Sequence, residues 1–501
     1  MERYLLTVTF RADGSSKFAP SNRWGYFPAA ALGWRMSEEA FLNDVDWLDN
    51  LKLRVSYGEV GNDGINSSLW SQNWEATSDK RYQGAVNGAF LPSYSLGADM
   101  ANKDLKWETT ITRNIGVDFG FFNSRLTGTI DAYWNTTKDL LMKTAIPGIT
   151  GFTSTYANVG QTSNKGIEIA LQGVLVKTRD WNVTAGFNIN FNRGKVDKLA
   201  DNVTGLYGTE WATSSTFPKS DYVLKEGRPV GLVRGLTADG FYTTDDFTYA
   251  NGVYTLKEGV ADVSSAVFPN YHLHNGMNER PAGQLAYPGM AKFKDLNDDG
   301  IINDDDVDVI GDMTPVHTGG FNINATYKNF DLGLYFNWSY GNEIYNVNKL
   351  AALYGYKEGA VYENKLSIVK DCYKIYDVVN GELVALTTPE QLNAANANAK
   401  LPLAYSENGY VSTLGIEDGS YLRLNTLTLG YTLPKSMLQK AGISNLRVYG
   451  SIYNVFTITG YSGIDAEVST STSTKTYPQL GMDWGTYPRA RSFVLGVNLS
   501  F

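Results

Sequence analysis

The sequence has one cysteine, Cys372, and three histidines among 501 residues. A single thiol excludes an internal disulfide framework and a cysteine-built zinc cluster, and leaves the redox compartment open. No run of about 18 apolar residues occurs, which excludes membrane-spanning helices but not membrane-spanning strands. A basic face is missing as well. With 43 basic against 52 acidic residues the net charge is -9, so nucleic acid is not an expected partner. There is no G-x-x-x-x-G-K-[ST] loop, no H-E-x-x-H and no G-x-S-x-G, so nucleotide, zinc-protease and hydrolase chemistry lack their starting residues. The opening MERYLLTVTFRADGSS shows neither the cationic start and apolar stretch nor the small-residue cleavage site of a secretory signal.

Aromatics and glycine are plentiful: 32 Tyr, 22 Phe, 11 Trp and 50 Gly, a mix suited to many strands with aromatic belts and turns. The length fits two to four soluble domains or one large β architecture. Period-two alternation decides for β. In WNVTAGFNINF, Trp181, Val183, Ala185, Phe187, Ile189 and Phe191 alternate with Asn182, Thr184, Gly186, Asn188 and Asn190, one face apolar and one polar. FNINATY, DLGLYFNWSY, LTGTIDAYW and SFVLGVNLSF repeat the design. A two-layer soluble β protein would alternate too, but its strands are commonly about five or six residues. These segments reach about ten or more, the length needed to cross a bilayer at a tilt.

The connections alternate as well. FNSR after Phe121, KTRD after Val176 and KNFD after Tyr327 are brief, while Gly61 to Lys103, Gly194 to Thr318, Gly341 to Asp418 and Thr459 to Arg489 are long. A strand that goes up must come down, so the short turns share one rim and the long loops the other, as in outer-membrane barrels. The expectation is an all-β, antiparallel transmembrane β-barrel with long extracellular loops. About twelve strands start near Tyr4, Tyr26, Lys52, Trp107, Arg125, Gly166, Trp181, Gly320, Asp331, Ser420, Leu446 and Arg491, and the long loops have room for up to about fourteen in all.

One long loop, residues 194–317, holds KFKDLNDDGIINDDDVDVIG, with seven carboxylates. Asp295, Asn297, Asp299, Gly300, Ile301, Asn303 and Asp306 occupy positions 1, 3, 5, 6, 7, 9 and 12 of a calcium loop of the EF-hand type. Oxygens at alternate positions converge on one hard cation, Gly300 permits the sharp turn, and Ile301 offers its carbonyl. Asp306 is shorter than the usual bidentate Glu. No amphipathic helix flanks the loop, so Ca2+ here braces a long loop instead of opening a helix pair; a solvated acidic turn is the plainer alternative. A glycosidase would need two carboxylates flanking a sugar bond, whereas Asp304, Asp305, Asp306 and Asp308 are neighbours in sequence, which makes a surface glycoside hydrolase a remote alternative. His272 and His274 in YHLHNG have no evident third metal ligand.

Longer blocks carry a family resemblance. RYLLTVTFRADGSSKFAPSNRWGYFPAAALGWRMSEEAFL and LKLRVSYGEVGNDG closely resemble the barrel of SusC/RagA-family TonB-dependent transporters of Bacteroidetes. IPGITGFTSTYANVGQTSNKGIEI, KEGRPVGLVRGLTADGFY, FKDLNDDGIINDDDVDVIG, YLRLNTLTLGYTLP, NVFTITGYSGIDAEV and YPRARSFVLGVNLSF follow in the family's order. The resemblance implies a bacterial outer-membrane barrel of about 22 strands around a plug. It implies import of oligosaccharides or peptides captured by a SusD-like lipoprotein lid, driven through TonB, and no enzyme activity. Against the family pattern this chain opens inside the barrel, without signal peptide, TonB box or plug. The expectation is therefore the C-terminal barrel portion, residues 1–501, with Met1 an internal methionine or a fragment boundary. TonB would then act only through the missing N-terminal region. A passive porin-like channel and a truncated fragment that does not transport are the alternatives.

Phe501, with Leu499 before it, resembles the C-terminal signal read by the barrel-assembly machinery, or is simply the lipid-facing end of a last strand. In the long loops, Trp70, Trp74, Tyr82, Trp211, Tyr222, Tyr354 and Tyr356 are candidates for stacking on sugar rings or packing on a lid protein; loop aromatics also pack on one another. Glycan rather than peptide is the expected ligand from family frequency alone.

Overall fold

The computed structural model describes residues 3–42, 44–77, 84–91, 93–97, 99–200, 203–268, 280–353, 365–404, 409–438, 442–470 and 479–501. Twelve antiparallel strands form one sheet, each hydrogen-bonded to the next in chain order. They are β1 (Tyr4–Gly14), β2 (Trp24–Arg35), β3 (Leu48–Asn62), β4 (Glu108–Phe121), β5 (Leu126–Lys138), β6 (Gln161–Lys177), β7 (Trp181–Lys198), β8 (His317–Tyr327), β9 (Phe330–Tyr340), β10 (Tyr421–Thr432), β11 (Asn445–Thr459) and β12 (Ser492–Ser500). All twelve expected strands are present. The largest offset is at β6, where pairing with β7 begins at Gln161, before the alternation becomes apolar at Ile167.

The register turns sequence alternation into two continuous faces. Ile130 pairs with Ile169 and Ile169 with Ile189, while Phe187 pairs with Phe321 and Phe321 with Phe336. The rings of Phe321 and Phe336 stack with centroids 4.4 Å apart. On β1 the same face bears exposed Tyr4, Leu6, Val8 and Phe10, and on β12 exposed Phe493, Leu495, Val497 and Leu499. An apolar face this wide is unsuited to water and matches the belt of a membrane barrel. The opposite face is polar and cross-linked. Arg54 on β3 donates to Asp118 on β4 and Asp131 on β5 at 2.9 to 3.0 Å, and Arg447 on β11 donates to Asp331 on β9 at 2.8 Å.

The tightest turns and the longest connections lie at opposite rims. Residues 122–125, 178–180 and 328–329 close tight turns at one rim, where the Lys328 N–H donates to the Asp180 carbonyl at 2.8 Å. At the other rim, the described residues of 199–316, 341–420 and 460–491 leave the sheet and build a domain of their own. Its core takes Tyr242, Tyr254, Tyr287 and Tyr345, all fully buried, with Leu236, Ile302, Leu350 and Met482. All three connections contribute to this cluster, so the long loops pack on one another.

Candidate functional site

The loop domain is joined to the barrel by charge pairs, the one at Arg423 buried. Arg423 on β10 donates from Nη1 to Glu467 at 2.7 Å and from Nη2 to Asp465; Arg489 adds a second contact to Glu467 at 2.9 Å. Arg193 on β7 pairs with Asp312 at 3.1 Å. The Asp312 N–H donates to Glu343 at 2.6 Å, and burial raises the Glu343 carboxyl above its ordinary range.

Within the domain a four-stranded sheet orders Leu206–Gly208, Tyr222–Leu224, Leu232–Leu236 and Val307–Asp312. The turn before its second strand is organised by Asp221, whose fully buried carboxylate accepts the N–H groups of Glu210, Trp211 and Ala212 at 2.8 to 3.0 Å. Burial raises the Asp221 carboxyl despite those three donors. Cys372 is buried in the same core, its thiol pushed up to about 11 by burial, so it is a packing residue rather than a nucleophile.

The acidic loop follows the strand Ala291–Phe293 and folds as a closed knot. The Asp295 carboxylate accepts the N–H groups of Asp299 at 3.3 Å and Gly300 at 2.7 Å, and Asp299 accepts the Ile301 N–H at 2.8 Å. Asn297 Nδ2 donates to Asp299 at 3.0 Å, and Asn303 Nδ2 donates to the Ile301 carbonyl at 3.1 Å. Asp306, fully buried, ties the ends together by accepting from Leu296 at 2.7 Å and Asn303 at 2.8 Å. Gly300 sits at φ +83°, where a side chain would be strained. Among the described residues, no group of three or more His, Cys, Asp or Glu side chains is arranged to hold a metal. In a loop of this pattern, however, amide and backbone carbonyl oxygens supply part of the coordination. The donor set is all oxygen, and each carboxylate oxygen that accepts one N–H keeps a second lone pair. Those residues fit a hard cation.

Of the loop aromatics, Trp74 is exposed on the short strand Trp74–Thr77, and Trp70 donates from its indole to the Ser16 carbonyl at 3.3 Å. Trp211 is half-buried against the loop core, its ring edge-on to Tyr345. Tyr222 is buried and donates its hydroxyl to the Leu480 carbonyl at 2.8 Å; its ring is spent on the core, which corrects its reading as a ligand contact. Tyr82, Tyr354 and Tyr356, and His272 and His274, lie outside the described residues. Leu499 and Phe501 are exposed at the end of β12. Sequence reasoning missed Arg423, Asp221 and Arg234. The signal for both arginines was a lone cation inside an apolar strand, YLRLN and LVRGL.

A family description, "TonB dependent receptor-like, beta-barrel", matches residues 1–287. TonB-dependent receptor P3 of Formosa agariphila is 31% identical over 100% of this chain and 44% of its own length. TonB-dependent receptor SusC of Bacteroides thetaiotaomicron is 31% identical over 100% of this chain and 42% of its own. The chain thus spans less than half the length of these relatives. The solved RagAB peptide transporter superposes with a TM-score of 0.71 at 24% identity, over 100% of this chain and 46% of that one. An open-open state of the RagAB peptide importer gives 0.72. At that identity the likeness shows the fold.

Proposed function

The chain belongs to the TonB dependent receptor-like β-barrel family, whose members are outer-membrane proteins, and from that membership we propose that it is part of an outer-membrane importer of oligosaccharides. The observation that carries this reading is the match along its whole length to relatives named TonB-dependent receptors, SusC among them. In the proposal a SusD-like surface lipoprotein delivers the ligand to the loop domain, and TonB supplies energy through a region outside these residues. β1 and β12 are the two edges of the described sheet, and unpaired strand edges are not tolerated in hydrocarbon; in the proposal both edges are paired in the assembled barrel. The barrel-assembly machinery reads the end of β12 at Leu499 and Phe501. Peptide is the second reading of the ligand, favoured by the fold shared with a peptide transporter.

Ca2+ belongs to the same proposal. Asp295, Asn297, Asp299, the Ile301 carbonyl, Asn303 and Asp306 would hold it, and the ion would supply a rigid cross-link within the loop spanning 194–317, on the cell exterior.

The test is uptake of labelled oligosaccharides and peptides by source cells with and without the gene, and with the proton-motive force collapsed. Loss of saccharide uptake in both supports the proposal. Free conduction of small solutes through the native protein in liposomes, needing no energy, would sink it in favour of a porin-like channel.

A further inference from the structure

Arg234 differs from the other arginines that tie the loop domain together. Arg193 ends on Asp312, Arg423 on Asp465 and Glu467, and Arg489 on Glu467. Arg234, half-buried on the strand Leu232–Leu236, has no carboxylate partner among the described residues. Its Nη1 donates to the Ser220 hydroxyl at 2.8 Å, and its guanidinium carbon lies 4.8 Å from the centre of the Tyr207 ring. Burial lowers its basicity, against the opposing pull of the Asp304 carboxylate.

The guanidinium borders a cleft of about 440 Å³, within the size range of small-ligand pockets. Ser214, Ser215, Thr216, Ser220 and Ser265 supply five hydroxyls to its lining, and Lys219 and Asp304 join Arg234 as its charged groups. Two cations against one carboxylate leave the cleft net positive. Thr216 uses its hydroxyl locally, on Thr213 and Pro218. The hydroxyls of Ser214, Ser215 and Ser265 have no partner among the described residues. Of its apolar lining, Phe217 and Val267 are buried in the loop core. Arg234 is held in place because its strand pairs with Val307–Asp312, Arg234 opposite Val309. Asp304 comes from the end of the acidic loop, so that loop shapes one wall.

We propose that this cleft binds the anionic substituent of an acidic oligosaccharide, a carboxylate or a sulfate, with Arg234 as its fork-shaped partner and the serine hydroxyls on the neighbouring sugar hydroxyls. Guanidinium geometry matches either anion bidentately, and side-chain hydroxyls that donate and accept complement sugar hydroxyls, which do both. The inference rests on the saccharide-import reading and names the saccharide class.

The experiment is calorimetric titration of the protein, purified in detergent from its native membrane, with four probes. Trigalacturonate carries carboxylates, a carrageenan oligosaccharide carries sulfates, maltotriose is neutral, and tetraglutamate is an anionic peptide. One of the two acidic saccharides is expected to bind about ten-fold tighter than maltotriose, the scale of one charge-assisted hydrogen bond, and the better of the two identifies the anion. Arg234→Gln should abolish that preference, so that the acidic probes bind no tighter than maltotriose, and Arg234→Lys should restore part of it. Lys219→Gln, on the exposed rim, should weaken the acidic probe alone and serves if the Arg234 variant does not fold. Undiminished acidic-saccharide binding in Arg234→Gln overturns the inference, as does a preference for tetraglutamate. Binding and uptake of neutral saccharides without any acidic preference overturn it while the import reading stands; absence of any saccharide binding and uptake overturns both.

Discussion

Arg423 and Glu467 stand 2.7 Å apart, a barrel strand and a long connection joined through a guanidinium that is only 2% exposed. The same side chain reaches Asp465, and its Nε donates to the Thr457 hydroxyl on the neighbouring strand at 2.9 Å. The connection 460–491 is therefore anchored by charge at the rim where the sheet gives way to the loop domain.

Replacing that cation strands two acids. Arg423→Met is expected to cost about 3–5 kcal/mol, the range for breaking a buried ion pair by removing one partner, and to speed protease nicking between residues 460 and 491. Glu467→Gln should cost less, since Glu467 is itself half-exposed and Asp465 remains. Equal nicking of the wild type and Arg423→Met would show that the anchor is dispensable.

A cation in the acidic loop predicts a different response. Adding Ca2+ should protect the segment 194–317 from protease and raise the melting temperature, and a chelator should reverse both. Asp299→Ala should abolish the response, because it removes one carboxylate of the set. Asp306→Ala should weaken the loop even in chelator, since it orphans the Leu296 and Asn303 N–H groups. If protease patterns with Ca2+ and with chelator match, the loop is a hydrogen-bonded turn with no ion.

The twelve strands were legible because alternation and strand length are direct consequences of a sheet with one apolar and one polar face. Phe187, Phe321 and Phe336 fall on one line across three strands, and each could be placed from its own segment alone. The loop domain was not legible. Its core joins residues as far apart as Tyr222 and Met482, and no local period reports on such contacts. Tyr222 looked available in the sequence because an aromatic in a loop reads the same whether its ring faces solvent or three packed connections. The acidic loop was legible because its residue types repeat at fixed offsets. The cleft at Arg234 was not, because Ser214, Arg234 and Ser265 come from separate segments of the connection, Arg234 from a strand and the two serines from outside it.

Asp246 gives the loop domain an acid limit. Burial alone would raise its carboxyl, but the Lys292 ammonium at 2.7 Å and the Thr243 N–H at 2.7 Å outweigh burial and hold it below the ordinary carboxylate range. A depressed folded value means that the stabilisation is fully present above the unfolded carboxylate value of about 3.9 and is lost as pH falls through the lower folded value. Glu417, held down by Ser462 and Lys349 against its burial, acts in the same direction. Asp246→Asn should therefore melt earlier than wild type at pH 7, and the gap should close as pH drops below about 4. A gap that stays constant from pH 7 to pH 3 would remove the charge from the explanation.

The sharpest test of the membrane assignment uses two adjacent residues. Phe321 and Asn322 sit near the middle of β8, and period two sends their side chains to opposite faces. Phe321 lies in the aromatic line with Phe187 and Phe336, whereas Asn322 shares its face with Asn324, whose Nδ2 donates to it at 3.1 Å. An arginine facing lipid near the bilayer midplane costs about 2–4 kcal/mol, so Phe321→Arg should lower the folded protein recovered from the outer membrane and shift its urea midpoint downward. Asn322→Arg faces the polar side of the sheet beside Asn324, and should assemble at nearly the wild-type level. The reverse order of damage would mean that the apolar face is turned inward, which no membrane barrel allows, and would return the sheet to the soluble architecture that its strand lengths argue against.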